Sequence, residues 1–307
     1  MNPKDYLVSL LHVATEEQLI AAPKNTTALL QRYGFQFKKQ FGQNFLIDLH
    51  VMGKIVRAAQ IGPEDVCLEI GPGIGSLTQI LAEASGRVLA VEIDERLIPI
   101  LQENLAAYEH VEMICADFLE LDLTRFAAEH RVDRPLKVVA NLPYYITTPI
   151  IMCLFESGLP LDSITVMVQE EVARRMQAGP GSKDYGALSL AVQYYAEPSI
   201  AAFVPQNCFI PRPGVGSAVI HLKRRSEPPV AVRDEAFLFS LIRAAFEQRR
   251  KTLVNSVRGA VRAPAAKEAV QKALQNLGFS ETVRGEALTL AEFARLADAL
   301  MEGDSHG

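Results

Sequence analysis

Residues 66–75 read Val-Cys-Leu-Glu-Ile-Gly-Pro-Gly-Ile-Gly, and this stretch decides the fold. Its largely apolar first five residues predict a buried strand, and the glycines directly after them predict a sharp turn into a helix. Such a turn brings backbone close to a ligand, and the helix start offers free N–H groups to an anion. A dinucleotide fingerprint would need a glycine where Ser76 stands, so another nucleotide-like ligand, or a plain strand–helix turn, is indicated.

Short apolar runs alternate with helical stretches up to about residue 225, a pattern typical of α/β folds with a mainly parallel sheet. The last two runs lie close enough to their neighbours to form an antiparallel edge. We therefore expect five parallel strands that close on an antiparallel pair. The candidate strands are Val66–Ile70, Arg87–Glu92, Val111–Cys115, Leu136–Ala140, Ser163–Val168, Ile200–Val204 and Ala218–Leu222.

The chain is expected to have three parts. Residues 1–35 form an N-terminal helical extension with a helix over 16–34, and residues 36–225 carry the sheet. After a Pro-rich linker, residues 230–307 show helical periodicity without strand candidates, which predicts a small all-helical domain. Its candidate helices are Asp234–Glu247, Lys251–Val261, Pro264–Leu277, which has Gly278 as its stop, and Leu290–Met301.

The composition, 49 % hydrophobic and 22 % charged, is that of an ordinary globular protein. Neither a membrane span nor a signal peptide is evident, so we expect a cytoplasmic protein. The four cysteines are scattered without a CxxC pair, which argues against a metal site. The net charge is −5, yet residues 223–262 hold ten Lys/Arg against four Asp/Glu, which hints at an anionic partner.

Two acids follow the predicted second and third strands. Glu92, about twenty residues after the glycines, is placed to accept the hydroxyls of a ribose. Asp117, followed by an aromatic residue, can accept from an adenine amine. Each acid could be a helix cap instead, and we favour that interpretation for Asp94. Together with Gly71 and Gly73, these strand ends fit a ligand made of an adenosine and a zwitterionic tail.

Asn141-Leu142-Pro143-Tyr144 follows the fourth strand. The N6 lone pair of adenine is conjugated into the ring and is a poor nucleophile. Two acceptors, the Asn141 amide oxygen and the Leu142 carbonyl, would favour the pyramidal nitrogen that can attack a methyl group. Pro143 keeps that carbonyl aimed, and Tyr144 can stack on an extruded base. Phe209, in a Pro-rich loop, could stack on the other face of the base, although taken by itself such a phenylalanine is more often a core residue.

With these motifs in this order, the chain resembles the KsgA/Dim1 family of rRNA adenine dimethyltransferases, and its bacterial branch most closely. The resemblance covers most of the chain from about residue 35. It is carried by the glycine loop, Glu92 and Asp117, and by four further segments. These segments are Lys39–Leu46, Asn141–Tyr145, Phe209–Pro213 and Gln248–Leu253.

The resemblance implies a class I (Rossmann-like) methyltransferase domain that uses S-adenosylmethionine, and a helical domain that docks on rRNA of the assembling small ribosomal subunit. The implied reaction converts two adjacent adenosines in the 3′-terminal hairpin loop of 16S rRNA to N6,N6-dimethyladenosine. The implied enzyme is a monomer without a metal. Asn44 and Leu46 would lie at the cofactor's methionine end with Gly71 beside it, Glu92 would hold its ribose and Asp117 its adenine. Gly73 and Asn141 would also contact the cofactor. The residues expected to hold the target base are Asn141, Leu142, Pro143, Tyr144 and Phe209.

Basic pairs are candidates for phosphate contacts with such an RNA. One departure from the family pattern lies in the loop behind Phe209, where Gly214 and Gly216 replace a polar or basic residue and an acid. It puts the stiffness of that loop in doubt. The candidate RNA-binding residues are Lys38, Lys39, Arg174, Arg175, Lys223, Arg224, Arg249, Arg250 and Lys251.

Three other functions share part of this pattern. A 23S rRNA adenine methyltransferase of the macrolide-resistance type shares the chemistry, but it typically has Ile in place of Leu142 and His in place of Asn44. A DNA adenine methyltransferase would have a proline in place of Leu142 and a target-recognition region. A mainly non-catalytic assembly factor would tolerate a degraded glycine loop, whereas this one is intact.

Overall fold

The computed structural model describes residues 1–12, 14–35, 42–261 and 265–304, with side chains to residue 301. Within that part of the chain, seven strands form one mixed sheet and two very short strands form a second sheet. The strands are β1 (Phe45–Leu46), β2 (Val66–Ile70), β3 (Arg87–Glu92), β4 (Val111–Cys115), β5 (Leu136–Asn141), β6 (Leu161–Gln169), β7 (Ala196–Val204), β8 (Phe209–Ile210) and β9 (Ser217–Arg224).

Helices flank or follow these strands. The first nine are α1 (Pro3–Val8), α2 (Pro23–Arg32), α3 (Leu49–Ala59), α4 (Ser76–Ala84), α5 (Ile98–Asn104), α6 (Leu123–Glu129), α7 (Thr147–Glu156), α8 (Glu170–Gln177) and α9 (Ala187–Tyr195). The C-terminal part adds α10 (Glu235–Glu247), α11 (Leu253–Val257), α12 (Ala266–Asn276) and α13 (Leu290–Asp304). In the described part of the chain, no helix is both long and apolar enough to cross a membrane.

The large sheet has the order β4-β3-β2-β5-β6-β9-β7. The five strands from β4 to β6 in this order pair in parallel. Strand β9 runs antiparallel to β6, from the pair Ser163–Lys223 to the pair Gln169–Ser217. The predicted α/β class, with its parallel strands and antiparallel last strand, is confirmed. Strand β2 is buried along its whole length because it lies in the middle of a sheet that is covered on both faces.

Two compact units make up the chain. The first comprises Met1–Ala173 and Ser199–Arg224, and the second comprises Arg174–Pro198 and Arg225–Gly307. The second unit therefore takes up a stretch that the sequence pattern placed within residues 36–225. Hydrogen bonds within the unit explain the difference, since the Tyr185 hydroxyl donates to the Leu288 carbonyl at 2.8 Å.

The N-terminal extension belongs to the first unit and packs against its helices α3 and α4. A Cβ on Gly53 of α3 would lie 2.0 Å from the carbonyl oxygen of Pro3, so the two backbones touch and only glycine fits. The buried Glu83 of α4 accepts backbone N–H groups from His12 and Ala14. The predicted helix over 16–34 is shorter in the structure because α2 begins at Pro23, which suits a first helical turn.

The second unit is helical around its own core, which includes Leu238, Leu241 and Phe293. Gly278 follows α12 in the left-handed conformation at φ +81°, as its predicted role as a stop requires. Helix α11 is shorter than the predicted Lys251–Val261. Pro264, the predicted start of the next helix, lies outside the described residues.

Candidate active site

A cavity of about 220 Å³ opens at the carboxyl ends of the parallel strands, where open α/β sheets bind their ligands. The structure brings almost all of the predicted cofactor and target-base residues to this one place. Those in its lining are Asn44, Leu46, Gly71, Gly73, Glu92, Asp117, Asn141, Leu142, Pro143 and Tyr144.

The glycine loop forms one wall of the cavity. Gly71 and Gly73 both have positive φ, at +72° and +64°, a conformation that other residues adopt at a cost. A Cβ on Gly73 would lie 2.8 Å from the Phe45 ring, so a side chain there would push against a buried aromatic. Nothing lies within 4 Å of the corresponding position on Gly71, which leaves room beside that backbone for a ligand.

Glu92 is held by backbone donors at the end of β3. Its carboxylate accepts the Gly73 N–H at 3.0 Å and the Asp94 N–H at 2.9 Å, and the residue is only 4 % exposed. Burial raises the pKa of Glu92 above its ordinary value, although these backbone bonds oppose the shift. The carboxylate is thus fixed in the cavity wall, and its role toward a ribose remains a prediction.

Glu69 lies in the same wall, and no role was assigned to it from the sequence. It is 1 % exposed, and its Oε2 has no hydrogen-bond partner among the described residues. Burial raises the pKa of Glu69 to about 8. A buried acid with an unpartnered oxygen suits a ligand that brings a donor or a positive charge. The sequence signal that could have pointed to Glu69 is that it is the one acid within the otherwise apolar strand Val66–Ile70.

The other two acids behave differently from each other. Asp117 lines the cavity and also accepts the Leu119 N–H at 3.0 Å, so it caps the following turn. Asp94 is absent from the described lining. It caps a turn through the Arg96 N–H and also bonds to the Arg96 guanidinium and to Gln43, which confirms its interpretation as a cap.

Asn141 is oriented from outside its own strand. Its Nδ2 donates to the backbone carbonyl of Asn44 at 2.8 Å, across 97 positions of the chain. Because the amide nitrogen is used in this way, the Oδ1 atom remains as an acceptor for a ligand amine. Leu142 buries its side chain at 2 % exposure and lines the same cavity. The amide acceptor thus lies next to the second acceptor that the sequence predicted.

Tyr144 is fixed by a second distant contact. Its hydroxyl is 2.7 Å from the Oγ of the fully buried Ser217 at the start of β9. Burial raises the pKa of Tyr144, so the phenol stays neutral at physiological pH. No role was assigned to Ser217 from the sequence, because spacing alone does not show that β9 returns beside β6, one strand away from β5.

Phe209 lies elsewhere. It is 2 % exposed, packs in the core of the first unit and pairs with Leu46 between β8 and β1. The described lining of the cavity does not include it. Its contact with a target base therefore stays a prediction, whereas its support of Leu46 is observed. Strands β1 and β8 have two residues each, which is too short for an alternating pattern that would reveal this pairing from the sequence.

The loop behind Phe209 does not require its two glycines. Neither Gly214 nor Gly216 has positive φ. A Cβ on Gly214 would meet nothing within 4 Å, and one on Gly216 would lie 3.4 Å from Glu170 Oε2, an ordinary contact. The departure from the family pattern is therefore one of side-chain chemistry and not of backbone conformation.

The candidate RNA-binding residues are unequal in their surroundings. Lys223 pairs with Asp162 at 2.5 Å, and Arg224 lies over the Phe155 ring. Arg249 donates to two backbone carbonyls of its own unit. The remaining described candidates, Arg174, Arg175, Arg250 and Lys251, are exposed, while Lys38 and Lys39 lie outside the described residues.

Comparisons with known proteins agree over most of the chain. The family model described as "Ribosomal RNA adenine dimethylase" matches residues 34–300. A curated relative from Lachnoclostridium phytofermentans, named "Ribosomal RNA small subunit methyltransferase A", is 58 % identical over 91 % of this chain and 97 % of its own length. The protein of the same name from Alkaliphilus metalliredigens is 49 % identical over 90 % of this chain and 96 % of its own length.

Solved structures show the same fold. A dimethyladenosine transferase from Plasmodium falciparum is similar with a TM-score of 0.71 and 24 % identity, over 85 % of this chain and 98 % of that one. The 23S rRNA methyltransferase ErmE has a TM-score of 0.64 and 27 % identity, over 84 % of this chain and 100 % of that one.

Proposed function

This chain belongs to the ribosomal RNA adenine dimethylase family, and from that premise we propose its cofactor and its target. It transfers methyl groups from S-adenosylmethionine to the N6 amines of two adjacent adenosines in the 3′-terminal hairpin loop of 16S rRNA. The product is N6,N6-dimethyladenosine, formed during assembly of the small subunit in the cytoplasm. The small-subunit name of relatives that are 49–58 % identical supports this target over 23S rRNA.

One observation carries the proposal. The Asn141 amide, fixed by the Asn44 carbonyl, faces the same cavity as the buried acids Glu69 and Glu92. An acceptor for an amine and acceptors for a cationic nucleoside therefore meet in one space. A non-catalytic assembly factor would not need them to meet.

The cavity residues fit S-adenosylmethionine. Glu69 offers an unpartnered oxygen to the ammonium of the methionine end, beside the open backbone at Gly71. Glu92 offers its fixed carboxylate to the ribose hydroxyls. Asp117 keeps an oxygen for the adenine amine beyond the one that caps the turn. When bound, the cofactor supplies a methyl group that its sulfonium already activates.

The protein's contribution to the reaction is positioning and electrostatics. Asn141 Oδ1 and the Leu142 carbonyl accept the two N6 hydrogens of the target adenine. These bonds draw the lone pair out of conjugation and aim it into the cavity. Tyr144 stacks on the extruded base, and its hydrogen bond with Ser217 holds the hydroxyl end of the side chain in place. No strong base is needed, because the nitrogen becomes acidic once it has formed the new bond, and it then releases its proton to water.

RNA binding beyond the cavity is assigned to the exposed basic residues. Arg250 and Lys251 are the favoured phosphate contacts because both are exposed. Their neighbour Arg249 and the residue Lys223 on β9 already bond to other groups of the protein. Such contacts add affinity that falls with salt and does not depend on sequence.

The test is modification mapping. The protein is incubated with radiolabelled S-adenosylmethionine and with unmodified 30S particles, 50S particles or DNA. Label in 30S particles, mapped to N6,N6-dimethyladenosine at two adjacent positions of 16S rRNA, is the expected result. Label that appears only in 50S RNA or in DNA would overturn the proposed target.

A further inference from the structure

Tyr145 stands out beside the site already described. It lines the cavity together with Tyr144, yet it is 61 % exposed. The two tyrosines share a turn that is closed by the Ile146 N–H donating to the Pro143 carbonyl. One ring is therefore tied inward to Ser217, whereas the other is presented to solvent at the rim.

The exposed ring is supported. A Cβ built on Gly42 would lie 3.6 Å from Tyr145 Cε1 and 3.4 Å from Pro143 Cβ, so the ring packs beside the backbone of residue 42. Gly42 has a φ of +55°, a conformation that favours glycine, so no side chain from residue 42 stands between its backbone and the ring. Support on one side and solvent on the other make a platform for a flat ligand.

We propose that Tyr145 stacks on a second unpaired base of the RNA, that of the nucleotide next to the target. The inference rests on the proposed function, which places two adjacent unpaired adenosines at the cavity. When one of them is extruded, its neighbour loses a stacking partner. An aromatic ring replaces such a partner without reading the sequence, and its loss weakens binding by roughly five- to 150-fold.

The chain offers a matched control. Phe203 on β7 is also a large exposed aromatic, at 50 %, but it is outside the described lining of the cavity. Loss of a generally sticky surface would affect both residues alike. Loss of a specific stacking contact would affect Tyr145 alone.

The experiment uses 30S particles rebuilt with 16S rRNA that carries 2-aminopurine, a fluorescent adenine analogue, in place of the adenosine next to the target. The wild-type protein and Tyr145→Phe are expected to quench the fluorescence on binding. Tyr145→Ala and Tyr145→Leu are expected to lose the quenching, since leucine is apolar but has no flat π-face. The KM for the particles should rise about tenfold in both variants.

Three further readouts separate stacking from damage to the fold or the cofactor site. For the Tyr145 variants, kcat, cofactor Kd and melting temperature should stay close to wild type, and Phe203→Ala should leave KM and quenching unchanged. Quenching by Tyr145→Ala equal to wild type, or an equal rise in KM for Phe203→Ala, would overturn the inference. Failure of the wild-type protein to methylate unlabelled 30S particles would instead overturn the proposed function.

Discussion

The two halves of the cavity are built in different ways. The cofactor half is local: Glu92 at the end of β3 is held by backbone donors from the adjoining glycine loop and from two residues further on. The target half is assembled over long distances, with Asn141 tied to Asn44 and Tyr144 tied to Ser217. A local motif can hold a common ligand, whereas a specific target needs side chains whose orientation the rest of the fold decides.

The largest expected effect tests whether the halves are separable. Asn141→Ala removes the amide acceptor and should lower kcat by about 100- to 1,000-fold, the range seen when one oriented hydrogen-bonding group is lost from an active site. Cofactor affinity should stay within a few-fold. Isothermal calorimetry with S-adenosylmethionine and single-turnover methylation of 30S particles measure the two.

A control for Asn141 is the asparagine Asn104, which supports the cofactor half of the cavity. Asn104 Nδ2 donates to the Ile74 carbonyl at 2.8 Å, in the glycine loop. Asn104→Ala should weaken cofactor binding while kcat at saturating cofactor stays near wild type. If Asn141→Ala abolished cofactor binding, Asn141 would belong to the cofactor half and the division would fail.

The next effect concerns Glu92. Glu92→Gln preserves the shape but replaces one acceptor oxygen with a donor and removes the charge, so the Gly73 or Asp94 N–H loses its partner. A lost charge-assisted bond to a ribose hydroxyl, about 2 kcal/mol, corresponds to a roughly 30-fold weaker cofactor Kd. Equilibrium binding measures it, and kcat at saturating cofactor should change by less than threefold. A large fall in that kcat with an unchanged Kd would contradict the assignment.

Glu69 gives the cofactor half a pH dependence. Its pKa is raised to about 8 in the fold, so the protonated form is favoured there, and its contribution to stability is present at low pH and lost as pH rises toward 8. Between about pH 5 and pH 8 the loss approaches 1.4 kcal/mol per pH unit. Glu69→Gln does not titrate and should show a correspondingly flatter profile.

Urea unfolding without cofactor, repeated from pH 5 to pH 9, measures this difference. The target-half variant Asn141→Ala is the control, since it should keep the wild-type slope. Parallel profiles for wild type and Glu69→Gln would show that Glu69 does not carry the pH dependence.

The smallest effect lies in the target half. Ser217→Ala leaves the Tyr144 hydroxyl without its partner, a cost of about 1 kcal/mol that corresponds to roughly fivefold in kcat/KM for 30S particles. Cofactor affinity should not change. The double variant Ser217→Ala with Tyr144→Phe should recover most of the loss, because removing both partners leaves no orphaned hydroxyl. Additive losses in the double variant would mean that the Tyr144 hydroxyl contributes independently of Ser217.

The same division decides what sequence could predict. Strands β2, β3 and β4 were predicted at their observed bounds, because each carries an apolar run that is followed closely by a loop or tip residue. Asn141–Tyr144 was recognised because its chemistry lies within four residues. The Asn44 and Ser217 contacts span 97 and 73 positions, and nothing in the spacing of a single chain reports such distances. Residues 174–198 group with the helical unit for the same reason.

The bond between Asn141 and Asn44 bears on protein engineering. A designer who grafts the Asn141–Tyr145 turn onto another scaffold transfers the amide but leaves behind the carbonyl that sets which of its two atoms faces the target. The rotated amide would present a donor to an amine and repel it. The smallest portable unit is therefore two segments, residues 42–46 and 141–145, together with the sheet that holds them side by side.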